Sequence, residues 1–145
     1  MNLATIRTEE LEGGALHWAV AKAVCPPSFS QSVNPHSGLS FWSEGYLGAL
    51  TKDPKLAAFE LMARLSIGVN PWRSFNDEGK CEAGREWCAH APQRKHTEGS
   101  LTYVTTFDAF AENPVTAIFR TVVLLLLDQE VQVPADLLEV GDGNS

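Results

Sequence analysis

The segment Asn113–Asp128, NPVTAIFRTVVLLLLD, constrains the fold more than any other part of the chain. Asn-Pro is a helix start: the Asn side chain accepts hydrogen bonds from the free first-turn amides, and Pro at the first helical position gives up no needed donor. The spacing predicts a helix over 114–128 with a core face of Val115, Ile118, Phe119, Val122, Leu125 and Leu126. At about 100° per residue, Leu124 falls on the opposite side close to Ala117, with Arg120 and Leu127 between the two faces. A helix that is apolar nearly all round has to be covered on both sides. Either the chain's own middle segment lies over Leu124, or a second subunit or partner does. The middle segment is polar and poor in aliphatic residues, which favours an intermolecular contact at Leu124 and a homo-oligomer.

Two more helices are legible. Residues 13–24, GGALHWAVAKAV, place Leu16, Ala19, Val20, Ala23 and Val24 on one face, and Cys25-Pro26-Pro27 ends the run. Asp53-Pro54 repeats the cap-then-proline signal and opens a helix to Ser66, with Leu56, Phe59, Met62 and Ala63 as its expected buried stripe and Gly68 as its expected C-terminal cap. Residues 1–10 read as an extended lead-in and 26–38 as loop. Gly38–Trp42 reads as a short strand, followed by turns at Gly45 and Gly48. Residues 69–99 are polar and charge-balanced, and read as a long irregular loop. Leu101–Phe107, LTYVTTF, is the clearest strand. Val131–Val133 reads as extended, Pro134–Leu138 as a last turn and 139–145 as a frayed tail. The expectation is one α+β domain over residues 1–145, with about three helices and a small antiparallel sheet.

The net charge is −7, and residues 100–145 carry most of it, with seven acids against Arg120 alone. Such a surface repels nucleic-acid backbones, so no direct DNA binding is expected; it suits a basic protein groove, and equally a solvated acidic tail that aids solubility. The longest strongly apolar run, Val122–Leu127, is far short of the roughly 20 residues that span a bilayer. The acidic N-terminal stretch does not read as a signal peptide, and three cysteines do not make a disulfide framework, so a reducing cytoplasm is the expected location.

Cys81, Cys88, His90 and His96 are the most suggestive cluster of metal-ligand types. Their spacings, C-x6-C, C-x-H and H-x5-H, depart from the close pairs of zinc sites, and no zinc or other cofactor is expected. No nucleophile elbow, phosphate-cradling loop or H-E-x-x-H helix is present in the sequence, and no residue is assigned a catalytic role. His17 reads as a boundary residue of the first helix, and Asp77-Glu78 and Asp128/Glu130 as solvated acids. The middle segment is more suggestive: Trp72, Arg73, Phe75, Arg85, Trp87, Arg94 and Lys95 lie close together in sequence. Trp and Arg dominate binding hot spots, and together they also suit a nucleotide or a single strand. The bland alternative is that Trp72 and Trp87 anchor the loop to the core.

Two segments resemble NinX-like bacteriophage proteins. Leu11–Ala23, LEGGALHWAVAKA, is similar to their opening helix, with His17 where an acidic residue is usual. Glu112–Leu138, with Ala117-Ile118-Phe119-Arg120 at its centre and an E-V-x-V-P-x-x-L ending, is similar to their closing helix. Trp42–Leu47 corresponds in part to the family's Trp-x-x-Gly-Gly-Pro stretch. The resemblance implies a phage origin and supplies no reaction, cofactor or catalytic residue. The expected function is that of a non-enzymatic phage accessory protein that binds a host or phage protein, in the manner of a counter-defence (anti-CRISPR-like) inhibitor. The alternatives are a small-molecule or nucleotide-sequestering protein and a small enzyme. Trp72, Arg73, Phe75, Arg85, Trp87 and Leu124 are the candidate partner-binding residues.

Overall fold

A computed structural model describes residues 2–25 and 32–142. In chain order these form β1 (Leu3–Arg7), α1 (Gly13–Val24), α2 (Phe41–Lys52), α3 (Pro54–Leu65), β2 (Gly68–Phe75), β3 (Cys81–Glu98), β4 (Leu101–Ala111), α4 (Pro114–Leu126), β5 (Glu130–Pro134) and α5 (Ala135–Asp142). The fold is α+β, as expected, with more helices than the sequence disclosed.

α4 is the centre of the molecule. Asn113 caps it by accepting from the Thr116 amide at 2.8 Å, with Pro114 in its first turn. One side packs on the antiparallel sheet β2-β3-β4, and the other on α1 and α3. On the sheet side, the Thr121 hydroxyl lies 3.2 Å from the Ala89 carbonyl oxygen and donates to it or to the Ala117 carbonyl, 3.0 Å away on its own helix. The sheet residues beneath are small: Ala89, Ala91, Ala109 and Ala111 are all buried. Alanines let the helix backbone approach the strands closely, which larger side chains would prevent. On the other side, Phe119 is fully buried and meets the His17 ring of α1 edge-on at 5.7 Å.

The chain itself therefore covers both faces of α4. The side of Ala117, expected to await another molecule, lies under β3 and β4. Leu124 is half-buried beside Phe107, whereas Leu126, expected in the core, is exposed.

Residues 69–99, expected to be irregular, are two strands and their turn. β2 pairs with β3 from Gly68↔His90 to Phe75↔Cys81, and β3 pairs with β4 from Trp87↔Ala111 to Glu98↔Leu101. Asn76 closes the first hairpin by accepting from the Glu78 and Lys80 amides, with Gly79 at φ +80. The sequence hid these strands for two reasons. Two of the inward residues on β3, Ala89 and Ala91, carry little strand signal, and most outward residues are polar because that sheet face meets solvent.

The expected strand at Gly38–Trp42 and turns at Gly45 and Gly48 are instead a bridge at Ser40 followed by α2. Ser40 is the helix cap, accepting from the Ser43 amide at 3.2 Å, and the buried Ser43 hydroxyl donates to the Cys25 carbonyl at 2.6 Å. Two glycines cost an isolated helix about 1 kcal/mol each, and packing through Ser43 and Leu50 outweighs that.

α3 begins on Asp53 and packs Met62 against the core as expected, but the rest of its expected stripe faces solvent. Ala57, Ala58 and Leu61 are buried, while Leu56 and Phe59 are 53% and 64% exposed and Ala63 is exposed. The small alanines allow a close approach that Phe59 would block. Ser66, at φ 56, ends the helix, and Gly68 starts β2. β1 pairs antiparallel with β5 through Leu3↔Pro134 to Arg7↔Glu130, tying the N-terminal lead-in to the extended piece after α4. α5 carries the chain to Asp142, through part of the expected frayed tail; residues 143–145 of that tail and 26–31 of the expected loop lie outside the described residues. Among the described residues no helix is long and apolar enough to cross a membrane.

The close contact between α4 and β3 makes a prediction. Ala89→Leu places three extra carbons where Thr121 reaches the strand. Overpacking of this kind costs about 1–3 kcal/mol, read as an earlier midpoint in urea melts with little change in slope.

Candidate functional site

The three-stranded sheet has one face under α4 and one face open. Strand alternation decides which side chains each face receives. On β3, Trp87, Ala89 and Ala91 point inward, so Cys88 and His90 point outward. On β4 their cross-strand neighbours, Phe110 and Asp108, share the open face. On β2, Asn70 lies opposite Cys88, and Gly68 opposite His90. Trp72 sits at the register shift between Pro71 and Arg73, and its ring meets Phe110 edge-on at 5.2 Å across the central strand.

The result is a shallow groove of about 450 Å³ lined by Asn70, Pro71, Trp72, Arg73, Cys88, His90, Asp108 and Phe110. Trp72 is 52% exposed. A Cβ at Gly68 would stand 2.6 Å from the His90 ring, so any larger residue there would displace that ring. The Asp108 carboxylate accepts from the Thr106 hydroxyl at 2.8 Å. Beyond Phe110, Glu12, Glu86 and Glu112 line an adjoining polar groove. Arg120 anchors that end, donating to the Leu11 carbonyl at 2.7 Å and the Phe110 carbonyl at 2.6 Å.

Of the expected partner-binding residues, Trp72 and Arg73 are in the groove and Phe75 stands at the far end of β2, 73% exposed. Trp87 points inward and packs against the core, which is the bland alternative for that residue. Arg85 and Arg94 belong to β3, but their side chains lie outside the described residues. Leu124 lines a separate groove with Phe107 and Gln93. Phe110 and Asp108, the partners of Trp72, were missed. Their signal was the strand LTYVTTF running on to Ala111, which brings an aromatic residue and an acid onto one face.

The four candidate metal ligands are not brought together. Cys88 and His90 share the open face, and Cys81 is exposed at the start of β3. His96 lies past the register shift at Pro92, stacked on Tyr103 at 4.9 Å on the helix-facing side. Among the described residues no three His, Cys, Asp or Glu side chains form a metal-holding group. Burial pushes the Cys88 thiol pKa up, and the nearby Asp108 carboxylate adds to the shift. That is the reverse of what an attacking thiolate needs.

A second hollow, about 560 Å³, lies between the start of α1, α2 and the start of α5. His17, Trp18, His36, Leu47 and Leu137 line it. Trp18 is fixed there by donating to the Ser37 carbonyl at 2.7 Å.

No protein-family model matches the chain, and neither a curated protein nor a solved structure matches it.

Partial burial at the α1–α4 contact lowers the His17 pKa. The neutral ring is favoured in the folded state, so this contribution to stability is fully present above the ordinary histidine value of about 6.5 and is lost as the pH falls below it. Melting temperatures should therefore decline from pH 7.5 to pH 5, and His17→Gln should make that decline shallower. An NMR titration should place the His17 midpoint below 6.5. A midpoint above that value would contradict the assignment.

Proposed function

We propose that the chain is a non-enzymatic binding protein that holds a basic segment of a partner protein on the open face of β2-β3-β4. The exposed Trp72–Phe110 pair carries this reading. Two large rings on solvent-facing strands contribute little to the core, whereas aromatic residues in a shallow groove are typical anchors of a protein interface. Within the groove Asp108 and Arg73 offset each other, and the acidic surface beyond Phe110 tips the balance toward a cation. Asp108 lies beside the rings, and Glu86 and Glu112 continue the acidic surface, so a Lys or Arg side chain would meet both a carboxylate and a ring face. The net charge of −7 would speed approach to a basic partner.

The resemblance to NinX-like phage proteins suggests the setting: a phage accessory protein acting in the cytoplasm of its bacterial host. Immune complexes that grip nucleic acid expose basic channels, and an acidic protein with aromatic anchors is suited to block one. Counter-defence is the version of the function that fits both the charge and the resemblance. The raised Cys88 thiol pKa argues against that cysteine as an attacking thiolate.

The test is affinity capture from host lysate with the intact protein and with a Trp72→Ala, Phe110→Ala double variant, identifying proteins by mass spectrometry. A specific partner should be lost with the double variant while its melting curve stays near normal. With the purified partner, the double variant should bind at least about 30-fold more weakly, the scale of a hot spot of about 2 kcal/mol. Asp108→Lys should weaken binding further at low salt than at high salt. Undiminished capture by the double variant would sink the reading.

A further inference from the structure

We infer that β4 is a self-pairing edge through which two copies of this chain join their sheets. β4 is the outer strand of its sheet, and among the described residues no strand pairs with it on the side away from β3. Natural edge strands of this length are guarded by lysines, prolines or bulges. Residues 101–107 have none of these on β4, and no charge at all; the register shift opposite Thr105–Thr106 lies in β3. Leu101 and Val104 are exposed there, at 60% and 53%.

Arg120 takes the Phe110 carbonyl, which places the backbone groups of Phe110 on the outer side. These groups alternate along a strand, so those of Asp108, Thr106, Val104 and Thr102 also point outward. Pro92 agrees: it stands opposite Thr106 and has no N–H to lose from the ladder.

The segment LTYVTTF is complementary to itself when reversed about Val104. Val104 meets Val104, Thr102 meets Thr106, Tyr103 meets Thr105 and Leu101 meets Phe107. These are β-branched, Thr–Thr, aromatic–Thr and apolar pairs, all favourable across antiparallel strands. The outward residues Thr102, Val104 and Thr106 then fall opposite one another, so each such pair exchanges both of its backbone hydrogen bonds. The register also seats an otherwise unexplained side chain. Leu101 shares the helix-facing side with Phe107, which with Leu124 makes the small apolar part of a groove of about 550 Å³ whose remaining wall, Arg7, Glu9, Gln129 and Glu130 among it, is polar. The second copy's Leu101 would enter it, next to Leu124. Asp108 would face only Ser100 of the other chain, with no like charge opposed.

The two-fold axis passes beside Val104, and this makes the test specific. In sedimentation equilibrium the wild-type chain should be a concentration-dependent dimer. It should tighten with added salt, because each copy carries −7. Val104→Lys and Val104→Glu each put like charges against each other at the axis, and each should raise the dissociation constant at least tenfold. An equimolar mixture of the two should recover dimer, which also shows that both variants are folded. A wild-type chain monomeric up to millimolar concentration, a dimer indifferent to Val104→Lys, or a mixture no better than its components would each overturn the proposal. Hydrogen exchange gives a check without any variant. The Thr102, Val104 and Thr106 amides should slow as wild-type concentration rises, while those of Tyr103 and Thr105 stay constant. Uniform behaviour of all five would equally count against the pairing.

Discussion

Burial of α4 from two sides is the constraint on which the rest of the structure depends. Its sequence leaves no polar face to offer solvent, so the chain surrounds it. The sheet supplies one wall and helices α1 and α3 the other, and both walls use small residues at the contact: Ala89, Ala91, Ala109 and Ala111 on the strands, Ala57 and Ala58 on α3. The Thr121 hydroxyl lies within hydrogen-bonding distance of both Ala89 and its own helix, and so helps fix the helix on the middle strand. Arg120 does the same at the sheet's end, holding β4 and the turn at Leu11 together through two carbonyls. Burial lowers its pKa, opposed by Glu12 and Glu9, but a guanidinium remains charged at any ordinary pH.

The sequence disclosed the elements that announce themselves locally. Asp53-Pro54 and Asn113-Pro114 marked two helix starts to the residue, because cap and proline act within one turn. The first helix was equally plain from its spacing. What stayed hidden depends on neighbours distant in sequence. Trp87, Ala89 and Ala91 are a buried strand face only because α4 needs flat ground, and nothing in Glu82–Lys95 itself says so. α2 survives two glycines through contacts made by Ser43 and Leu50. α3 offers two overlapping stripes, and the sequence favours the larger side chains, whereas the fold buries Ala57, Ala58 and Leu61. The candidate site was half legible for the same reason. Trp72 and Arg73 stood out by residue type, but Phe110 and Asp108 become their neighbours only once β4 pairs with β3.

The open face follows from the same economy of apolar residues. Most of the large aliphatic side chains near the sheet lie around α4, and the other side receives what remains: Asn70, Cys88, His90, Asp108 and two aromatic rings. Such a face is stable in water because an antiparallel sheet tolerates one solvated side. It is also well suited to recognition. The strands beneath it are held from below by α4, so a partner meets side chains whose positions are already fixed, and less ordering entropy is lost on binding.

The face and the edge are separate surfaces of one sheet, and their geometry links them. Antiparallel pairing about Val104 has its two-fold axis perpendicular to the sheet, so both open faces turn the same way. Two such chains would present one continuous sheet bearing two Trp72–Phe110 clusters on a single side. A partner with two basic segments at the matching separation, or a two-fold symmetric one, would engage both clusters, the second at the high effective concentration set by a rigid connection. Salt acts oppositely on the two contacts. It screens the repulsion between two copies of charge −7 and weakens the attraction of each face for a cation. The salt dependence of assembly and of partner binding therefore separates the edge from the face, even though the same three strands build both.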